Sequence, residues 1–293
     1  MRPAEASNIY DLGYQHYTGL RLGRGHVLRS LYVESLRGAF GLGRGVPQKI
    51  FAFSLVGIAF VPALIMLAIS ALTTQQIDLW RYEDYYGLIQ VVLALFAAGL
   101  GTEVVGRDLR NKLLPLYFSR SITRQDYAAA KLAALFTAML IISIVPQVFL
   151  FIGNAFSTTD TFGYFRDEGD VIPAIVGAGV LISFMMTTLG IAIAARTPRR
   201  AYATGATIAV FLVSTAVGNA ILHAAPDTFA RFAILFSIFD VMDGFTLYFF
   251  SARTRGTSIG LADLPGIIYP LVALAVSFIA VSLYFRRYER MSL

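Results

Sequence analysis

Phe51-Ala-Phe-Ser-Leu-Val-Gly-Ile-Ala-Phe-Val-Pro-Ala-Leu-Ile-Met-Leu-Ala-Ile-Ser-Ala-Leu72 is a run of 22 residues without a charged side chain. At ~1.5 Å per residue it makes about 33 Å of helix, enough to cross a bilayer core of about 30 Å. It begins too late for a secretory signal, whose apolar core falls within about the first 30 residues. Five further runs of the same kind follow, giving six spans at 51–72, 85–103, 128–156, 171–195, 201–222 and 266–285. Pro62, Pro146, Pro173 and Pro270 fall in or near them, as is common for membrane helices.

The composition agrees. Hydrophobic residues make up 57% of the 293 and charged residues 14%, against about 25% charged in a soluble domain. Mean hydropathy is +0.66. A soluble core this large needs a polar shell that the chain lacks, so lipid is its solvent. There is no cysteine, which removes disulfides, thiolate metal sites and a cysteine nucleophile.

Charge sets the expected orientation. Of 24 Lys and Arg, nineteen fall on residues 1–50, the 103–131 connection, the 196–200 loop and the C-terminal tail, all on one side of a six-span topology. Arg81, Arg166, Arg231, Arg253 and Arg255 are left on the other side, where Asp160, Asp167, Glu168 and Asp170 also crowd. Basic loops stay in the cytoplasm. This predicts a cytoplasmic N-terminal segment (1–50), a transmembrane domain (51–285) and a cytoplasmic tail (286–293) in the cell membrane. The net charge of +6 is then a topology signal, with no nucleic acid implied.

One segment breaks the pattern. The stretch 229–250 is apolar, yet Asp240 and Asp243 sit within it, each costing about 2.5–3.5 kcal/mol at a helix centre. Two short apolar arms interrupted by Asp240-Val-Met-Asp-Gly244 read as a re-entrant hairpin between spans five and six, with the carboxylates at an outer gate. A seventh span, or aspartates that merely cap two surface helices, are the alternatives.

Before the first span, Val27, Leu28, Leu31, Tyr32, Leu36 and Phe40 recur at three- and four-residue spacing. This predicts an amphipathic helix lying in the cytoplasmic interface, or packed on a partner. Gly41-Leu-Gly-Arg-Gly45 has no following Lys-Ser/Thr and no preceding strand, so it reads as a turn rather than a phosphate loop.

The connection from Glu103 to Lys131 is basic and partly apolar. Arg107-Asp-Leu-Arg-Asn-Lys-Leu-Leu-Pro-Leu-Tyr-Phe118 continues from the second span and turns at Ser119-Arg-Ser-Ile122; Thr123-Arg-Gln-Asp126 matches a capping box for the third. Leu113, Leu114, Leu116 and Phe118 are too apolar for a solvated loop, so something must cover them. Lys131, near the start of the third span, is expected to snorkel to the interface.

From Glu103 through Lys131 the sequence resembles the cytoplasmic loop of ABC-2-type exporter permeases. That loop carries an acidic residue, a Leu-rich turn, then Ser-Arg-Pro-Ile/Val-Ser/Thr-Arg, an aromatic and a Lys; Ser121 stands here where proline is usual. The resemblance implies an all-α protein of six spans with an N-terminal interfacial helix, a coupling helix between spans two and three, and a re-entrant outer hairpin. It implies docking on a separate soluble ATPase subunit, two copies per complex, with a second copy of this permease or a similar one. The implied coupling residues are Glu103, Arg107, Arg110, Leu113, Leu114, Phe118, Arg120, Thr123, Arg124 and Asp126, the arginines supplying charge complementarity to the partner. ATP and Mg would belong to that partner, and this chain would hold no cofactor.

No phosphate-binding loop occurs in the chain, so ATP hydrolysis is not expected of it alone. His16, His26 and His223 share no metal-ligand spacing. Ser183, Ser214 and Ser277 lie within spans, where a hydroxyl ordinarily bonds a helix backbone. The six span interiors lack the ionisable groups that ion-driven carriers use. An exporter permease is the expected function; a secondary transporter and a non-transporting membrane scaffold are the alternatives.

Overall fold

A computed structural model describes residues 19, 22–72, 81–119, 122–197, 199–224, 230–252 and 258–290. Among these residues all regular structure is helical. In chain order the helices are α1 (Arg24–Ala39), α2 (Val46–Leu72), α3 (Asp84–Val104), α4 (Gly106–Arg110), α5 (Leu114–Phe118), α6 (Arg124–Ser157), α7 (Thr161–Asp167), α8 (Val171–Ala194) and α9 (Arg200–Ala224). A 3-10 helix, Ala230–Phe236, leads into α10 (Ile238–Phe249), α11 (Ser258–Ala262) and α12 (Ile268–Glu289).

Six of these, α2, α3, α6, α8, α9 and α12, are long and apolar enough to cross a membrane. They coincide with the six runs read from the sequence, each within a few residues. Their outward faces carry large exposed apolar side chains such as Phe53, Val213 and Phe278, at 52%, 57% and 60% exposure. A belt of that kind is tolerated in lipid but not in water. The chain is a multi-pass membrane protein.

The long helices alternate in direction. Ion pairs and hydrogen bonds join the start of α2, the end of α3, the starts of α6 and α9 and the end of α12 at one end of the bundle, the basic end. At the opposite end Ser70 bonds Asn154, and the Tyr82 hydroxyl bonds those of Tyr164 and the amide of Asn154. Helices α3 and α8 are mostly buried, whereas α2 and α9 are mostly exposed. Where α3 meets α8 the backbones touch: a Cβ on Gly101 would sit 2.8 Å from the Gly190 carbonyl oxygen, and one on Gly190 2.9 Å from that of Ala97. Small residues permit this approach, which in lipid replaces the hydrophobic drive to associate.

Helix α1 packs against α6 and α3 through Leu31, Ser35, Gly38 and Ala39. Its Tyr32 hydroxyl bonds Thr137, and its Arg24 pairs with Asp126 at 2.6 Å. The 34 residues of α6 make about 51 Å of helix at ~1.5 Å per residue, well beyond a hydrocarbon core. The first part of α6 is therefore free to project from the membrane and receive α1.

The 229–250 stretch departs from expectation in one respect. Residues Asp240 to Gly244 are continuous helix, and the 95° break lies earlier, at Ser237. Ser237 is the reason: its hydroxyl caps the Asp240 N–H and ends the 3-10 helix by starting a new one. Gly244 makes no turn; it gives α10 contact with the Tyr269 ring of α12, where a Cβ would collide. Both ends of the segment lie at the end opposite the basic one. Arg231 bonds the carbonyls of Ala262 and Asp263, Ser258 bonds Asn219 near the end of α9, and Tyr248 lies against Gly266 just before α12.

Candidate functional site

The Glu103–Lys131 connection forms the centre of the basic end. Helix α4 follows α3 after Val105, and Lys112, in the left-handed region at φ 52°, turns the chain into α5. The turn is closed by Leu113 N–H donating to the Asp108 carbonyl at 3.0 Å, which satisfies an orphan helix-end acceptor. Pro115 occupies the first turn of α5, where its missing N–H costs nothing. The capping box is present in both directions: Thr123 Oγ1 accepts from Asp126 N–H, and the Asp126 carboxylate accepts from Thr123 N–H at 2.9 Å.

Two ion clusters, each with a buried carboxylate at its centre, bind this connection to the rest of the chain. In the first, Lys131 Nζ lies 2.8 Å from Asp108 Oδ2, with Asp108 wholly buried and Lys131 1% exposed. The same carboxylate oxygen accepts the Tyr127 hydroxyl at 2.7 Å, and Lys131 also approaches Glu34 of α1 at 3.9 Å. Asp108 Oδ1 is buried with no hydrogen-bond donor among the described residues. In the second, Glu103 takes Arg44 on one carboxylate oxygen at 2.8 Å and Arg200 on the other at 2.7 Å. It thereby ties the starts of α2 and α9 to the end of α3.

Lys131 therefore does not snorkel. Its stem enters the protein because Asp108 supplies a buried counter-charge, which removes the cost of an unpaired ammonium. Sequence reading missed Asp108, Tyr127, Glu34, Arg44 and Arg200 as members of these clusters. Asp108 and Lys131 belong to different helices, and no short spacing joins them.

An aromatic cage encloses Tyr127. Tyr117, Phe118 and Tyr288 lie with ring centroids 5.3, 5.9 and 5.4 Å from it, and Tyr284 packs on Tyr288. The cage holds α5, the start of α6 and the end of α12 together.

The residues singled out in the sequence divide accordingly. Leu114 is buried in the chain's own core, Leu113 and Phe118 are half-buried, and Leu116 is 65% exposed. Sequence reading assigns Arg107 and Arg124 to a partner; both are engaged within the chain, Arg107 with Glu34 at 3.1 Å and Arg124 with the Glu289 carbonyl at 2.9 Å. Arg110 is half-buried, with Nη1 lacking an acceptor among the described residues. Arg120 lies outside the described residues. Beside Leu116 a mostly apolar groove of about 370 Å³ runs between α1 and α5, lined by Val27, Leu31, Leu113, Leu116, Tyr117 and Ile122, with Ser30 and Glu34 of α1 on its polar side.

At the opposite end the two aspartates have different surroundings. Asp240 accepts from the Ser237 hydroxyl and the Asn219 amide, so its charge is used inside the fold. Asp243 makes no such bond among the described residues; its carboxylate lies beside α3, 3.6 Å from where a Cβ on Gly87 would sit. Helix α10 reaches into the bundle: Ile238 N–H is bonded to Ser214, near the middle of α9, and Phe249 lies over Gly177, two turns into α8.

No protein-family model and no curated protein matches the chain.

Proposed function

We propose that the chain is the permease subunit of an ATP-driven exporter of the ABC-2 type, acting as a pair of permeases with two copies of a soluble ATPase subunit. The observation that carries this reading is the construction of α5. Five residues long and outside the six long helices, it is held to the bundle by buried Leu114 and the Tyr127 cage, yet it leaves Leu116 exposed beside an apolar groove. Together with the apolar residues of the groove, exposed Leu116 forms a contiguous surface on a rigid, basic-end element, the kind of surface a partner covers. Asp108–Lys131 joins α4 to α6, so a push on α5 is delivered to α3 and α6 together and not absorbed by a loose loop. Closure of the ATPase pair would tilt these helices and open a pathway outward.

In this reading the basic end is cytoplasmic, following the Lys and Arg bias. The segment 230–263 enters from outside and returns there; the placement of both its ends beside the end of α9 and the start of α12 supports this. Asp243 is then the gate carboxylate, and Asp240 positions the helix that carries it. The middle stretches of the six long helices carry no charged side chain, which suits lipophilic or weakly polar cargo.

The test is reconstitution. The purified chain alone is expected to hydrolyse no ATP, and adding an ATPase subunit encoded beside it should give Mg-dependent hydrolysis in the assembled complex. Robust hydrolysis by the chain free of other proteins, or failure of every such subunit to bind it, would overturn the reading.

A further inference from the structure

A second groove at the basic end, of about 610 Å³, lies between α1 and the turn that leads into α2. It is lined by His26, Arg29, Arg37, Arg44 and Arg107, against one carboxylate, Glu34. Glu34 is already shared between Arg107 and Lys131, and the Glu103 that holds Arg44 is shared with Arg200. The cationic groups thus exceed the anionic ones available to them.

The arginines at the back of the groove are held there by the fold. The Arg44 side chain is 8% exposed, and it is fixed by hydrogen bonds from Nη1 to both the carboxylate and the carbonyl of Glu103. It lies over Gly38, where any Cβ would strike its guanidinium. Arg44 and Arg107 line the same groove, and burial and the neighbouring Arg107 guanidinium both lower the Arg44 pKa. Arg107 Nε is buried with no acceptor among the described residues. Converging guanidiniums with donors left over are the chemistry of an anion site, and planar guanidinium forks suit phosphate.

The surroundings identify the source of the phosphate. Arg44 stands two residues before the first helix long enough to span, so the groove is at the membrane surface. Below it, along α2, Val46, Ile50, Phe51 and Phe53 are exposed apolar side chains at 66%, 63%, 38% and 52%. A free phosphate needs no such surface; an acyl chain does. We propose that this groove binds the phosphate headgroup of an anionic glycerophospholipid of the cytoplasmic leaflet, its acyl chains lying along α2. The proposal rests on the cytoplasmic placement of the basic end given above. Anionic lipids enrich that leaflet and attract basic segments beside a span.

The test uses the full chain purified in a non-ionic detergent, with bound lipid read by native mass spectrometry. Phosphatidylglycerol, phosphatidylcholine and inorganic phosphate are the probes. One retained phosphatidylglycerol per chain is expected, with phosphatidylcholine retained much more weakly. Arg29→Gln with Arg37→Gln, both on the exposed rim, should weaken phosphatidylglycerol binding about twenty-five-fold, at roughly fivefold for each arginine near an anionic surface. Arg166→Gln, at the other end, should change nothing. Millimolar inorganic phosphate that binds the groove and displaces the lipid would overturn the lipid assignment in favour of a soluble anion. A double variant that keeps its lipid but loses the ATPase subunit would overturn it in favour of an acidic surface on that partner. Absence of lipid binding with normal ATPase docking would sink this inference and leave the permease reading standing; lipid binding with no docking subunit would do the reverse.

Discussion

Lys131 Nζ sits 2.8 Å from Asp108 Oδ2, and the two side chains are 2% and 0% exposed. This one contact fastens the short helices of the α3–α6 connection to the helix that follows them. Because Tyr127 donates to the same oxygen, the pair also anchors the aromatic cage that reaches α12.

The pair should show the asymmetry of a buried ion pair. Asp108→Leu or Lys131→Met alone strands a charge and is expected to cost about 3–5 kcal/mol, whereas the double variant, with both charges gone, should recover most of it. Thermal unfolding in detergent measures all four proteins of the cycle. Additive losses would mean that the two residues act independently.

Leu114 and Leu116, two residues apart on α5, should fail differently. Leu116→Asp changes an exposed side chain, and it should abolish co-purification with the ATPase subunit while leaving the unfolding temperature unchanged; an apolar anchor of this kind commonly contributes about 2 kcal/mol or more to binding. Leu114→Asp buries a carboxylate in the chain's own core and should lower stability whether or not a partner is present. Retention of the subunit by Leu116→Asp would remove α5 as the docking element.

Topology can be read with single cysteines, since the chain has none of its own. Cysteine in place of Asp167, Ala224 or Asp263, all exposed, should react with an impermeant maleimide from outside intact cells. Cysteine in place of Arg290 should react only after the membrane is opened. Outside labelling at Ala224 with inside labelling at Asp263 would make the segment between them a span and end the gate proposal.

The two aspartates of α10 should separate as well. Asp240→Asn keeps a side chain that bonds Ser237 and Asn219, so its effect on transport should be small. Asp243→Asn replaces a carboxyl group that makes no hydrogen bond among the described residues, and transport should change while expression and ATPase docking do not. Equal effects from both would favour a purely structural capping role.

The six spans were legible in the sequence because a helix in lipid must be apolar for its whole length, and that is a property of consecutive residues. The capping box at Thr123 and Asp126 was legible for the same reason, since its partners are three residues apart. The break at Ser237 was not: Asp240 and Asp243 draw attention by their charge, but a serine cap in an apolar stretch decides where the helix starts. Nor could sequence order show that Leu114 turns inward and Leu116 outward, because a five-residue helix has no periodicity to read. Glu103 with Arg44 and Arg200, and Asp108 with Lys131, are pairings across separate helices. What the sequence determined by itself was the number, apolar character and approximate extent of the six long helices. Which charges neutralise one another, which apolar side chain is left for a partner, and which arginines converge on a groove were decided only by packing, because burial is what forces a charge to find its counter-ion.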